Sequence, residues 1–211
     1  MEKTTFDFGF GPVPAHQHAN GGGWVADSAR VADTAYVGSK ALVSGNALVC
    51  DNAQVSGEAR VSGEAQVSGE ARVSGKAQVS GKAQVSGEAW VSGKAQVYGN
   101  ALVCDNAQVY GEAQVSGEAW VSGNAQVYGE AQVTTTPLVI TGLEYAVTVC
   151  DNQVQIGCKT VPAATQLSAD LFPDETCPVL RACAHTLIPL IQGHYARATQ
   201  GACQSAHDRD P

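Results

Sequence analysis

Valine recurs every six residues from Val25 through Val133, nineteen times without a slip, and alanine holds the fourth place after it from Ala29 to Ala131. The places between them are polar or small, as in VSGEA, VSGKA and VCDNA. A period of six fits neither the 3.6 of an α-helix nor a heptad, and the glycine two places after most valines would cost a helix about 1 kcal/mol each. Extended chain accommodates the pattern. In a strand, alternate residues share a face, so within Ala-x-Val the alanine and valine point one way and the middle residue the other. The three residues that follow (SGE, SGK, YGN or CDN) are turn formers that tolerate tight or left-handed backbone. Each unit is therefore one short strand and one corner. Such strands satisfy their backbone groups by stacking coil on coil, roughly 4.8 Å apart.

The phrases VSGEA and VCDNA resemble the hexapeptide-repeat family, in which an aliphatic residue is followed four places later by a small one. That resemblance implies an all-β solenoid, a left-handed triangular β-helix in which three hexapeptides complete one coil. The handedness comes from the resemblance alone, because crossovers between parallel strands are right-handed as a rule. Nineteen units then make about six coils, with Val25, Val43, Val61, Val79, Val97 and Val115 in one internal column.

With three units to the coil, outward positions three units apart become neighbours on one flat side. The first side reads Arg30, Leu48, Gln66, Gln84, Leu102, Trp120; the second Tyr36, Gln54, Arg72, Trp90, Gln108, Gln126. The third reads Leu42, Arg60, Gln78, Gln96, Gln114, Gln132, ending in glutamines whose amides are placed to form a hydrogen-bonded ladder. At the corners, Glu64 falls beside Lys82, Glu58 beside Lys76, and Lys94 beside Glu112, while Glu70 and Glu88 form a like-charged pair. Large side chains gather late in the array, at Trp90, Tyr98, Tyr110, Trp120 and Tyr128. Exposed apolar residues grouped on a face mark interfaces, so Leu48, Leu102, Trp120 and Trp90 are the candidate protein-interface residues. The family resemblance implies a homotrimer.

Four segments follow: residues 1–24 as an N-terminal cap, 25–138 as the repeat, 139–160 as a β-hairpin cap and 161–211 as a C-terminal tail with one helix. In the first, Phe6, Phe8 and Phe10 alternate, predicting a strand with an apolar face that covers the open end of the solenoid. In the third, LEYAVTVCDNQVQIGCKT places alternating runs on both sides of Asp151 and Asn152, setting Val149 opposite Val154 and Val147 opposite Ile156. In the tail, Leu180, Ala184, Leu187, Ile188 and Ile191 carry helical spacing within residues 177–197, with a kink at Pro189, and the last dozen residues read as disordered.

The chain of 211 residues carries a formal net charge of -8, which repels phosphate backbones and disfavours nucleic-acid binding. No apolar run reaches the roughly 20 residues of a membrane span, and the first residues lack the basic start and apolar centre of a secretory signal. Seven cysteines, an odd number, fit a reducing compartment better than a disulfide framework. Cys50 and Cys104 sit in the same phrase three coils apart, about 14 Å, beyond the ~7 Å a disulfide spans. The expected location is the bacterial cytoplasm or a virion.

Hexapeptide-repeat proteins include acyltransferases, which use a histidine base, and carbonic anhydrases, which hold a metal with three histidines. Between Val25 and Val139 there is neither a histidine nor an insertion, so none of those family sites has a counterpart, and no catalytic, cofactor or metal residue is assigned. His16 and His18 in HQH, and Cys177, Cys183 and His185 further on, make weak metal signatures that lack a complete ligand set. The opening FDFGFGPVPAHQHANGGGWVADSARVADTAYVG and the closing TVCDNQVQIGC resemble small hexapeptide-repeat proteins of bacteriophages and prophages. The resulting expectation is a non-enzymatic structural or interaction scaffold whose partners are copies of itself, a host protein or a virion protein. An acyltransferase with an inter-subunit site and a phage inhibitor of a host protein are the alternatives.

Overall fold

From Val31 to Val133 each valine of the repeat closes a two-residue strand, as in Gln54–Val55, Arg60–Val61 and Gln66–Val67, and none of these pairs with its sequence neighbour. Gln66 instead pairs in parallel register with Leu48 before it and Gln84 after it, three repeat units away in each direction. These relationships come from a computed structural model that describes residues 4–140, 147–156, 159–162, 189 and 191–193. The chain divides into two compact units, Met1–Thr136 and Pro137–Pro211.

In the first unit the register sorts the strands into three parallel sheets around a shared interior. The first side runs from Arg30–Val31 to Trp120–Val121, the second from Tyr36–Val37 to Gln126–Val127, and the third from Trp24–Ala26 to Gln132–Val133. The unit is a β-solenoid of about six coils, each coil contributing one strand to every side. Val25, Val43, Val61, Val79, Val97 and Val115 form the expected internal column, every one at 0% exposure, and the alanines beside them are equally buried. Burial of this aliphatic column is the main attraction that keeps coil on coil.

Backbone bonds link each coil to the next along strand and corner alike. Gln54 N–H donates to Ala71 O at 2.9 Å, Ser56 to Val73 O at 2.9 Å and Glu58 to Gly75 O at 2.7 Å. The corner itself closes by Ala59 N–H donating to Ser56 O at 3.4 Å, with Gly57 at φ 64° in the position where a type II′ turn needs left-handed backbone. Space as well as φ calls for glycine. A Cβ on Gly75 would stand 2.8 Å from the Gly93 carbonyl oxygen of the adjoining coil.

Asp51 and Asp105 occupy the same corner position at φ 59° and 60°, with side chains in place. The bonds across these corners are longer, 3.0 Å for Asn52 to Gly69 O and for Asn106 to Gly123 O, against 2.7 Å at Glu58. The coil opens slightly to admit the Cβ. In return each carboxylate accepts a backbone donor of the adjoining coil, Gly69 N–H at 2.9 Å for Asp51 and Gly123 N–H at 3.0 Å for Asp105.

At the N-terminal end the third sheet continues into two antiparallel strands, Pro12–Gln17 against Trp24–Ala26 and Thr5–Asp7 against Pro12–Gln17. The expected single strand through three phenylalanines ends early, at Asp7. Its carboxylate accepts Gly9 N–H at 2.7 Å and Gly11 N–H at 3.0 Å, which turns the chain before Phe8 and Phe10 can extend it. Phe8 is buried with Ala15 and Ala26, Phe6 stacks on Trp24 at 4.6 Å, and Phe10 is left 66% exposed. Residues 18–23 cover the opening edge of the second side, where Gly23 N–H donates to Val37 O and Val37 N–H to Asn20 O.

The second unit contains a four-stranded antiparallel sheet, ordered Leu138–Ile140, Val147–Val149, Gln153–Ile156, Lys159–Pro162. Its central hairpin has the expected register, Val149 opposite Val154 and Val147 opposite Ile156. Both faces are buried, since Thr148 and Gln155 on the opposite face are as hidden as the valines. Val139 keeps the six-residue count but pairs antiparallel with Thr148, so the count outlasts the solenoid. Of the expected C-terminal helix, Pro189 and residues 191–193 are helical and Ile191 is buried. The rest of residues 177–197 and the last dozen residues lie outside the described residues.

Candidate interaction surface

The outward position of each strand decides what a flat side offers, because the two positions that flank it in Ala-x-Val are committed to the interior. On the first side Leu102 and Trp120 are register partners on adjacent strands, with Trp120 53% exposed and Leu102 half-buried. The Trp120 indole leans back across that strand, its Nε1 donating to Cys104 Sγ at 3.1 Å, and its backbone N–H donates to Thr136 Oγ1 at 3.3 Å. Together they make one apolar patch on the last two strands of the sheet. Leu48, also half-buried, lies three coils away, separated from Leu102 by Gln66 and Gln84. Trp90 is on the second side, 48% exposed, and its Nε1 donates to Ser74 Oγ at 3.3 Å. The fold thus joins two of the four candidate residues and keeps the other two apart.

Both tryptophans reach a residue 16 positions earlier, the first corner residue of the preceding coil. One coil back less two residues is where a long side chain leaning along the axis meets the neighbouring corner. Partial burial pushes the Cys104 thiol up, opposed by the indole donor and reinforced by Asp105; burial also raises Cys50, beside Asp51. Cys50 and Cys104 are free. A further aromatic pair, Tyr110 stacked on Tyr128 at 5.3 Å, escaped the column reading, although its one-coil spacing was available to it.

The corner charges sort by column in a way the linear order hides. The corner between the first and second sides carries Asp33, Asp51, Glu70, Glu88 and Asp105 with no lysine, while Lys40, Lys76 and Lys94 fall on the next corner and Lys82 on the last. Of the expected pairs, Lys76 meets Glu58 at 3.6 Å and Lys94 meets Glu112 at 2.7 Å. The second contact holds the Glu112 carboxyl below and the Lys94 amine above their ordinary values. Glu64 and Lys82 share an open groove of about 540 Å³ with Arg30 and Leu48 but form no ion pair there. The register stacks Gln78, Gln96 and Gln114, yet among the described residues no side-chain bond joins these amides. They face water, which competes for both ends of each amide.

At the N-terminal cap, His16 Nδ1 lies 3.0 Å from Asp27 Oδ1 on the surface, and the buried His18 holds the Ala35 carbonyl through Nε2 at 3.0 Å. The two imidazoles of HQH serve separate partners. Among the described residues no three His, Cys, Asp or Glu side chains gather as metal ligands, and Cys177, Cys183 and His185 lie outside those residues.

Residues 65–82, 95–112 and 113–129 match the YdcK β-solenoid repeat family model, in segments one coil long. The match covers three coils, and the sheet order makes the first unit a β-solenoid. Two of the matched coils of this β-solenoid are consecutive and carry Leu102 and Trp120. A search of curated proteins returned no match.

Proposed function

We propose that this β-solenoid is a non-enzymatic scaffold that packs its first side, at Leu102 and Trp120, against other copies of the chain to form a homotrimer. The observation that carries the reading is the apolar pair Leu102–Trp120 on adjacent strands, set on a side where Gln66 and Gln84 fill the middle positions. Such a patch, held by a backbone bonded at every coil, meets a partner without a large ordering cost. Uninterrupted hexapeptides from Val25 to Val133 support a structural role, because no inserted loop is there to roof an acyl-carrier pocket. The resemblance of the opening segment, the repeat and residues 148–158 to phage and prophage repeat proteins supports a viral origin, and with it a place in the bacterial cytoplasm or on a virion. A host or virion protein is the further partner that this origin implies.

Light scattering on the purified protein tests the reading. The expected result is a trimeric mass that falls to the monomer in the Leu102→Lys, Trp120→Glu double variant, with unchanged circular dichroism. A monomeric mass at every accessible concentration, or an oligomer indifferent to both changes, would overturn self-assembly through this side. Heat released on titration with acetyl-CoA, together with acyl transfer that is lost on replacing His16 or His185, would overturn the non-enzymatic part.

A further inference from the structure

The second side carries a groove unrelated to the Leu102–Trp120 patch. Its floor is the register column Arg72, Trp90, Gln108, and its wall is the corner column Glu70, Glu88, Asn106, so six side chains from three coils form a two-by-three array. Trp90 stands at the centre of the floor. Its Nε1 is engaged by Ser74 Oγ, which fixes the ring and leaves it to act through its flat apolar face. The five residues around it are all planar hydrogen-bonding groups: two carboxylates that accept, a guanidinium that donates and two amides that do both. Lys76–Glu58 and Lys94–Glu112 meet as ion pairs on another corner, but among the described residues none engages Glu70, Arg72 or Glu88. Their hydrogen-bonding capacity faces the groove.

We propose that this groove binds one sugar ring of a neutral saccharide, stacked on Trp90 and rimmed by Glu70, Arg72, Glu88, Asn106 and Gln108. A pyranose has a face of polarised C–H groups and a rim of hydroxyls that both donate and accept. The negative face of an indole attracts the first, and a mixed set of donors and acceptors at the edge suits the second. The groove, about 220 Å³ and open, is smaller than the ~300–1,000 Å³ of pockets that enclose a drug-sized ligand, which fits a single ring of a longer chain lying across the side. Two carboxylates against one guanidinium disfavour an acidic sugar. A basic peptide suits the same net negative charge but would leave the donors of Arg72, Asn106 and Gln108 without acceptors, so it is carried as the competing class in the test.

Saturation-transfer NMR with the full chain tests this, using soluble α-glucan, β-glucan, mannan and β-linked N-acetylglucosamine oligosaccharides at millimolar concentration, with tetralysine as the competing class. At least one saccharide should show transfer. Its affinity should fall about tenfold or more in Trp90→Ala, the equivalent of ~1.4 kcal/mol, and stay unchanged in Trp120→Ala. Gln108→Ala, a milder surface change, should weaken the same saccharide, which keeps the test valid if Trp90→Ala folds poorly. Silence from all four saccharides, transfer to tetralysine alone, or binding that survives both groove variants would overturn the proposal. None of these outcomes bears on self-assembly through the first side.

Discussion

The Asp105 carboxylate reaches one coil along the solenoid to accept the Gly123 backbone N–H at 3.0 Å, while Asp105 itself sits at φ 60°. One residue thus bears a backbone strain and offsets it with a bond that glycine cannot make. Asp105→Ala keeps the strain and loses the bond, so it should destabilise the solenoid by about 1–3 kcal/mol. Asp105→Gly relieves the strain and should cost less than half as much. Denaturant unfolding of the two variants checks both parts; equal losses would mean the left-handed φ carries no strain, and no loss in Asp105→Ala would mean the bond contributes nothing.

Gly75 and Gly123 separate the two reasons for a corner glycine. Both have left-handed φ, at 69° and 63°, but a Cβ on Gly75 meets the Gly93 backbone at 2.8 Å and one on Gly123 meets nothing within 4 Å. Gly123→Ala should cost about 1–2 kcal/mol from conformation alone. Gly75→Ala should cost about 1–3 kcal/mol more, from the clash with the next coil. The comparison is read from the same unfolding curves.

The solenoid was legible because its period leaves one solution. Valine at every sixth place fixes the inward column, and the pairing of Gln66 with Gln84 follows once three units close a coil. The Val147–Ile156 hairpin was legible for the same reason, alternation about a turn. What stayed hidden depends on side-chain direction along the axis, which a column list lacks. Trp120 turning back to Cys104, and Asp105 reaching forward to Gly123, are axial contacts of that kind. The phenylalanine run misled because alternation cannot register a competing side-chain bond, here Asp7 to Gly9 and Gly11.

That Asp7 turn is pH-sensitive. The Gly9 and Gly11 N–H donors hold the Asp7 carboxyl below its ordinary value of 3.8. A lowered folded-state value means the stabilisation is present above the unfolded value and is lost as pH falls through the folded one. The Gly9 and Gly11 amide resonances should therefore titrate together with a midpoint below 3.8, and Asp7→Asn should abolish the transition. A midpoint at or above the ordinary value would contradict the two bonds.

Cys150 lies buried in the hairpin, and burial, with Asp151 adding to it, pushes its thiol from 9.0 up to about 12. A raised folded-state value means the stabilisation is intact below 9.0 and lost as pH rises toward 12. At pH near 8, iodoacetamide should therefore label the half-buried Cys50 and Cys104 slowly and Cys150 only after unfolding, as read by peptide mass mapping. Labelling of Cys150 in the native protein at the rate of Cys104 would place it at the surface.

The claim that the Leu102–Trp120 patch is the contact surface is tested most directly by site-specific photocrosslinking. A photoreactive phenylalanine derivative is placed at Trp120 on the first side and, separately, at Gln96 on the third, where its register neighbours are glutamines. Irradiation should link the Trp120-labelled protein into a species of two or three chains, with the attachment mapped near Leu102 of another copy, and leave the Gln96-labelled protein uncrosslinked. Equal crosslinking from both sides, or none from Trp120 at concentrations where light scattering finds an oligomer, would contradict the account.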